Sequence, residues 1–230
     1  MIHAMGLVKY ACGVANRELG KLTGTGKNPL EDEQVEAMLQ ACREVADGMH
    51  DGEFPVDVFQ TGSGTSTNMN ANEVIANRAC QLLGETLGER TVHPNDHVNY
   101  GQSSNDVIPT VMHLAAAVEI SESLLPALND LSKTLGAKAR EFDEIVTIAR
   151  THLQDATPIR LGQVFGGYFR QVTIVSGELE QALDGLCELP LGGTAVGTGL
   201  NTHPEFAARV IALLSSETNI SFQEAANHFQ

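Results

Sequence analysis

Four polar segments interrupt a chain that otherwise has an apolar, helical pattern: residues 60–70, 93–106, 150–157 and 191–202. Three of them offer Ser, Thr, Asn, Gln or His side chains, with the free backbone N–H groups expected where a helix begins. Helix N-termini bind small anions, and hydroxyl and amide groups can hold a carboxylate without carrying formal charge. One such segment alone would be read as a cap or a turn. Three in one chain favour a site for a small anion.

His152, in the third segment, is the candidate acid or base. Histidine changes its protonation state near neutral pH, as proton transfer under physiological conditions requires. The alternative is a structural histidine, because the chain has eight.

Other chemistries fit the spacing poorly. Gly62-Ser63-Gly64 follows no strand and is not a nucleophile elbow, and Gly192–Gly199 is not a dinucleotide-binding loop after a strand. His93 and Asp96 lack a further ligand at metal-binding spacing, so the sequence predicts no metal site. The cysteines are far apart and form no CxxC pair, which disfavours zinc and a disulfide framework. They are Cys12, Cys42, Cys80 and Cys187.

Helices must position these segments. Residues 6–18 form a helical pattern, and the next helix is predicted to begin with Asn28 as its N-cap and Pro29 in its first turn. Gly48 is a stop signal for that helix. Another helix is predicted after residue 70, and a further one from Pro204 to Leu214.

Two longer patterns occupy the second half of the chain. Apolar residues recur from Val107 to Leu135, with Pro126 predicted to kink the helix, and again from Leu161 to Leu186. Their alternating steps of three and four are typical of long helices packed side by side. The sequence therefore predicts an all-α protein. A small helical domain occupies residues 1–100, and part of a long-helix bundle occupies residues 101–230.

Charge and composition narrow the function classes. The net charge is −15, which repels nucleic acid phosphates and anionic membranes, and we expect neither as a partner. We find no stretch of membrane-spanning length and no signal peptide at the start. The cysteine pattern fits a reducing cytoplasm. The surplus of acidic residues, 29 against 14 basic ones, suggests either ordinary solubility or a high-salt habitat.

Four blocks of sequence resemble those of class II fumarases, in the fumarase/aspartase superfamily. The blocks occur in family order along nearly the whole chain. They are GSGTSTNMNANEVIANRA, HPNDHVNYGQSSNDVIPT, ARTHLQDATP and LGGTAVGTGLNTHPEFA.

The resemblance implies a role for each matching position. His152 matches the catalytic histidine, which acts with a water. The substrate-binding positions match Ser63, Gly64, Thr65, Ser103, Ser104, Asn105 and Thr151. A secondary dicarboxylate site matches His93, Pro94, Asn95 and Asp96. The resemblance also implies a homotetramer built around a shared helical bundle, with each active site taking residues from three subunits.

The implied reaction is the reversible hydration of fumarate to malate, without a metal or organic cofactor. Removing the C3 proton of malate spreads charge into the neighbouring carboxylate, and preorganised donors stabilise that charge. Aspartate ammonia-lyase is the nearest alternative, but those enzymes tend to carry Gln where this chain has His152.

The chain also departs from the family. The GSSxMPGKxNP-type loop, which carries the proposed base and a substrate-contacting lysine, does not occur in the sequence. The N-terminal family segment is also missing, and the chain ends inside a block that matches the family. We therefore expect a fragment, and an inactive helical piece of a fumarase is a further alternative.

Overall fold

The computed structural model describes residues 1–24, 28–57, 59 and 63–229. Helices dominate, which confirms the predicted all-α class, and short strand pairs complete the fold. The helices are α1 (Ile2–Glu18), α2 (Asp32–Ala46), α3 (Thr65–Leu82), α4 (Ser104–Glu119), α5 (Leu125–Glu141), α6 (Leu161–Leu186) and α7 (Phe206–Thr218). The strands are β1 (Val146–Thr151), β2 (Gln154–Arg160), β3 (Glu188–Leu189) and β4 (Gln223–Glu224).

The chain forms two compact units. Unit 1 comprises Met1–Ala116 with Leu186–Gln230, and unit 2 comprises Ala117–Gly185. The predicted boundary between a domain of residues 1–100 and a domain of residues 101–230 stays a prediction. The two compact units divide the chain at other positions.

Unit 1 contains the larger core. Helix α1 packs against α2 and α7, and α2 packs against α3. Val, Leu, Ile, Met and Ala side chains supply most of the buried apolar surface, as expected for a chain with 5% aromatic residues. Among the most buried are Val8, Val35, Met38, Ile75, Val111, Leu114, Leu191 and Phe206.

The start of α2 corrects the predicted cap. Its N-cap is Glu31, not Asn28, and the helix begins at Asp32. The backbone N–H of Glu31 donates to Oε1 of Gln34 at 2.9 Å, completing a capping box. That box satisfies donors at the helix end, whereas Asn28 adopts a left-handed backbone conformation, with φ 58°. The end of α2 at Ala46, just before Gly48, agrees with the prediction.

The helical stretch from Ser104 to Glu141 is irregular near the predicted proline kink. A π-helical segment, Ile120–Leu124, separates α4 from α5, and Pro126 lies in the first turn of α5. A proline ring clashes with the carbonyl four residues earlier, here that of Glu122. The π segment widens the helix at that carbonyl.

The same stretch corrects a second expectation. Ser104–Glu141 is long and apolar enough to span a membrane by length and composition, with a mean hydropathy of 1.3 in its most apolar window. The three alanines Ala115–Ala117 add to the apolar character of the stretch, although they lie outside the apolar stripe that predicts the helix. Val111 and Leu114 are buried in unit 1, although only 17% of that most apolar window is buried. Length and composition alone are weak evidence for a membrane segment, because core helices of globular proteins share both features.

Unit 2 pairs α5 with α6 around a close contact. A Cβ at Gly162 would collide with the carbonyl oxygen of Ala139 and lie 2.7 Å from Cα of Asp143. The rings of Phe142 and Phe165 meet edge to face, 5.1 Å apart. The antiparallel β1–β2 hairpin joins the two helices.

Candidate functional site

Ser63, Gly64 and Thr65 lie at the N-terminus of α3. Gly64 is the N-cap and has φ 66°, a conformation that glycine adopts without strain. A Cβ at Gly64 would lie 3.0 Å from Ile108, so a side chain there would also be crowded. The hydroxyl groups of Ser63 and Thr65 lie 3.1 Å apart. Residues 60–62 of the predicted polar segment lie outside the described residues.

Ser103, Ser104 and Asn105 form the start of α4, as predicted for an anion-binding segment. The Ser103 backbone N–H donates to Oδ1 of Asp106 at 2.9 Å. The Asn105 N–H donates to the Ser103 hydroxyl at 3.3 Å. We call residues 103–105 the α4 turn.

Asp106 ties the α4 turn to the glycine-rich loop, residues 191–201. Its Oδ2 accepts hydrogen bonds from the backbone N–H groups of Gly192, at 3.1 Å, and Thr194, at 3.0 Å. Burial raises the pKa of the Asp106 carboxyl, and the N–H donors from Ser103, Thr194 and Gly192 oppose that shift. A second tie runs from the Asn105 side-chain amide to the carbonyl oxygen of Ala195, at 2.6 Å. Two predicted polar segments therefore meet in unit 1.

A buried polar network lies beside the α4 turn. Asn68, on α3, donates from Nδ2 to the Ser104 hydroxyl at 3.1 Å and to Oδ1 of Asn99 at 3.3 Å. Lys9, on α1, donates from Nζ to the same Asn99 oxygen at 2.8 Å and to Oε1 of Gln102 at 2.9 Å. Burial lowers the pKa of Lys9 to about 8.

The predicted secondary site forms a short π-helical segment, Pro94–Val98, with His93 as its N-cap. Nδ1 of His93 accepts hydrogen bonds from the backbone N–H groups of Asn95, at 3.2 Å, and Asp96, at 3.1 Å. Burial lowers the pKa of the neighbouring His97, whose Nδ1 accepts a hydrogen bond from the His93 N–H at 2.7 Å.

A cavity of 510 Å³ connects the secondary site with the α4 turn. Its lining includes Asn95 and Asp96 on one side, Ser103, and Thr194 of the glycine-rich loop. Polar groups supply much of that lining, as a site for a polar anion requires.

Thr151 and His152 lie in unit 2, at the tip of the β1–β2 hairpin. The 150–157 segment therefore lies in a hairpin, and the helix that follows it, α6, begins at Leu161 as predicted. Thr151 pairs with Gln154, which leaves His152 and Leu153 as a two-residue turn. Their φ angles are 50° and 60°, values that favour Asn or Gly. Held strain of this kind costs about 1–3 kcal/mol per residue and is concentrated at functional sites.

The hairpin tip is presented to solvent. His152 and Thr151 are exposed, and Leu153 is 97% exposed. An ion pair between Arg150 Nε and Asp155 Oδ1, at 3.1 Å, braces the strands behind the tip.

Within residues 1–24, 28–57, 59 and 63–229, no group of three or more His, Cys, Asp or Glu side chains is placed to hold a metal ion.

A protein-family model described as "Lyase" matches residues 1–230, the full length of the chain. The chain belongs to this lyase family.

Curated relatives of this chain include two that are named fumarate hydratase class II. The one from Halobacterium salinarum is 56% identical over 229 residues, covering 100% of this chain and 47% of the relative. The one from Nitrosomonas europaea is also 56% identical, over 232 residues, covering 100% of this chain and 48% of the relative. The chain thus spans about half the length of the curated relatives it matches.

A solved structure gives the same result for the fold. The class II fumarase from Schistosoma mansoni matches with a TM-score of 0.89 and 39% identity, over 99% of this chain and 49% of that chain. The resemblance to class II fumarases is therefore confirmed, and the chain has their helical fold.

Two of the buried charged residues, Asp106 and Lys9, lie at or beside the α4 turn and were not predicted from the sequence. In the sequence, Asp106 is the last residue of a polar segment, and Lys9 is one position in a helical pattern. The one sequence signal for Asp106 is its position three residues after Ser103. An acidic residue at that position in a helix can accept a hydrogen bond from the backbone N–H of the capping residue. No sequence signal marked Lys9 as buried, because lysine is rarely buried.

Proposed function

We propose that this lyase carries dicarboxylate-binding and proton-transfer residues of a fumarate hydratase, which converts fumarate and water reversibly to malate. The observation that carries the proposal is the tied α4 turn beside the 510 Å³ cavity, in a chain 56% identical to fumarate hydratases. Asp106 and Asn105 tie the start of α4 to the glycine-rich loop.

The proposed binding groups are hydroxyls, amides and helix N-termini. Their dipoles are fixed before the substrate arrives, so they stabilise developing carboxylate charge without reorganising. In the dehydration direction a general base takes the C3 proton of malate, charge spreads into the adjacent carboxylate, and the C2 hydroxyl accepts a proton and departs as water. The carboxylate donors are Ser63, Gly64, Thr65, Ser103, Ser104, Asn105 and Thr151.

His152 moves a proton together with a bound water in this scheme. An exposed, strained hairpin tip suits a residue that completes a site formed by several chains. No metal or organic cofactor takes part in the proposed steps.

The secondary dicarboxylate site is proposed at His93, Pro94, Asn95 and Asp96. Asn95 and Asp96 line the cavity that also contains Ser103, so a dicarboxylate held there would lie on the way to the α4 turn.

The proposed assembly is a homotetramer in which Thr65, Asn105 and His152 of one site come from different chains. Apolar side chains along α5 and α6 support it, since Leu131, Ile174 and Val175 are exposed and suit burial in a shared bundle. We place the enzyme in the cytoplasm, with neither nucleic acid nor a membrane as partner.

Fumarate binding and malate dehydration test the proposal. NMR amide shifts in the α4 turn are expected to change on titration with fumarate, and malate to yield fumarate, followed by its ultraviolet absorbance. The rate is expected to fall more than tenfold below that of a full-length relative, because the family loop with the proposed base does not occur in this sequence.

The variant His152→Asn is expected to abolish turnover while leaving fumarate binding at the α4 turn intact. His3→Asn, at an exposed histidine on α1, is the matched control and should change neither. Ammonia release from aspartate without fumarate hydration would instead identify an ammonia-lyase. Absence of both fumarate binding and turnover would contradict the proposal.

A further inference from the structure

Lys9 is a buried ammonium group whose position calls for an explanation. It lies on α1 and is 1% exposed. Nζ donates to two neutral amide oxygens, Oδ1 of Asn99 at 2.8 Å and Oε1 of Gln102 at 2.9 Å. Burying an ammonium group is costly, and an apolar residue of similar volume at such a position is often neutral or stabilising. The charge therefore points to a role beyond packing.

The two acceptors of Lys9 shape the backbone that enters the α4 turn. The Gln102 amide donates to the carbonyl oxygens of Val98, at 3.0 Å, and Tyr100, at 3.2 Å. The Asn99 amide donates to the carbonyl oxygen of Gln102, at 3.3 Å. Lys9 therefore holds both amides in the orientation that closes this backbone into a turn.

The network continues to the α4 turn itself. The Asn99 oxygen that accepts from Lys9 also accepts from Asn68, and Asn68 donates to the Ser104 hydroxyl. A contiguous chain of hydrogen bonds thus runs from Nζ of Lys9 to Oγ of Ser104.

Three other titratable groups act on the charge of Lys9: Cys12 on α1, Cys42 on α2 and Asp106 on α4. Burial raises the pKa of both thiols, so they stay neutral at physiological pH. Asp106 is engaged by three backbone N–H donors. Lys9 is therefore a buried positive charge beside the α4 turn, in a chain whose net charge is −15.

We infer that Lys9 is a positioning residue for the α4 turn, and that its buried positive charge favours dicarboxylate binding there. The inference rests on the proposed function, which supplies the dicarboxylate. Lys9 acts through Asn99, Gln102 and Asn68, and does not itself touch the substrate.

The role gives two opposite pH dependences. Because burial lowers the pKa of Lys9 to about 8, its charge is lost as pH rises through that value, and dicarboxylate binding should weaken. The unfolded chain keeps the ordinary lysine pKa of 10.5, so it binds more protons than the folded chain between about 8 and 10.5. Folding stability should therefore rise over that same range. A lysine that served stability alone would produce only the second effect.

The test uses the full chain and NMR titration with fumarate and with succinate, a dicarboxylate that cannot be hydrated. Lys9→Met is expected to weaken binding about tenfold at neutral pH, the size expected for losing a charge-assisted hydrogen-bond network. Lys133→Met removes one exposed charge and is the matched control, with unchanged binding. Amide hydrogen exchange at residues 103–105 should be about tenfold faster in Lys9→Met, while α2 amides keep their rates.

The unmodified chain gives a readout that needs no variant. Its dicarboxylate affinity should fall from about pH 7 to about pH 9, with the ¹³Cε resonance of Lys9 titrating over the same range. Constant affinity over that range overturns the inference, and so do unchanged affinity and exchange in a folded Lys9→Met. If the unmodified chain binds no dicarboxylate, the proposed function fails, and the exchange rates alone then decide whether Lys9 positions the turn.

Discussion

The side-chain amide of Asn105 donates a hydrogen bond of 2.6 Å to the carbonyl oxygen of Ala195, 90 residues further along the chain. It joins the first turn of α4 to a loop that Asp106 also holds through Gly192 and Thr194. Asn105 thus has a positioning role in addition to the substrate contact proposed for it.

Asn105→Ala should free the loop at Ala195 and weaken fumarate binding. We expect a loss of about 1 kcal/mol in the free energy of unfolding, the usual contribution of one hydrogen bond. Asn70→Ala is the matched control, because the Asn70 amide donates to the carbonyl of Glu53 at 2.9 Å. The control should lose similar stability and bind fumarate normally. Equal binding losses in both variants, measured by NMR titration, would refute a specific role for Asn105.

Gly162→Ala should destabilise the α5–α6 pair. The added Cβ meets the backbone of Ala139 and Asp143, which cannot rotate away, and we expect a loss of about 1–3 kcal/mol. Gly167→Ala lies on the same helix with nothing within 4 Å of the added carbon. That control should gain about 0.5–1 kcal/mol from helix propensity. Chemical denaturation of the two variants measures both effects, and a loss of stability in Gly167→Ala would contradict the packing described for α6.

Glu44 supplies pH-dependent stability in unit 1. The hydrogen bonds from Arg78 lower the pKa of this buried carboxyl to about 2, against the opposing effect of burial. A group with a lowered folded pKa stabilises the fold above its unfolded value of 4.5, and that stability is lost as pH falls toward about 2. Glu44→Gln should cost about 3 kcal/mol at neutral pH and flatten the acid limb of the unfolding curve.

The exposed pair of Arg17 and Glu36 provides the control for Glu44. Its side chains are 38% and 60% exposed, so Glu36→Gln should cost less than about 1 kcal/mol. Melts between about pH 2 and pH 7 compare the two variants. A Glu44→Gln variant that kept the acid dependence of the unmodified chain would rule out Glu44 as its source.

High salt should stabilise this chain. Acidic residues outnumber basic ones by 29 to 14, and molar salt screens their repulsion over about 3 Å. The melting temperature should rise from about 0.1 M to about 2 M KCl, whereas sucrose of equal osmolality should give a smaller gain. The relatives do not decide the habitat, since the proteins from Halobacterium salinarum and Nitrosomonas europaea are equally identical to this chain. A melting temperature independent of KCl would end the high-salt hypothesis.

The long helices were predictable because apolar periodicity over more than 20 residues has few competing explanations. The apolar stripe from Leu161 to Leu186 predicts a helix, and that helix is α6 in the structure. The beginning of α4 was predictable from small polar residues before an apolar run. The beginning of α3 was not, because that helix was predicted after residue 70 and the structure begins it at Thr65. The start of α2 was not, because the polar residues from Asn28 to Gln34 offer several capping positions in succession.

The hairpin and the buried charges depended on contacts that a local pattern does not contain. Val146–Thr151 is short and lies beside polar residues, so the sequence predicts only the long helices on either side of it. Lys9 reaches Asn99 across 90 residues of sequence, and Asp106 reaches Thr194 across 88. Such partners are set by the packing of whole helices.

Together with the proton transfer proposed for His152, the backbone of the turn at His152 and Leu153 implies two opposed selective pressures on this chain. Asn-Gly in these two positions would fit the left-handed backbone better and fold more readily. In a library randomised at both positions, selection for thermal survival alone should therefore discard both native residues. Selection for turnover in the assembled enzyme should keep the histidine and leave the second position free to become glycine. The sequence recovered at this turn would then reveal which demand has governed it.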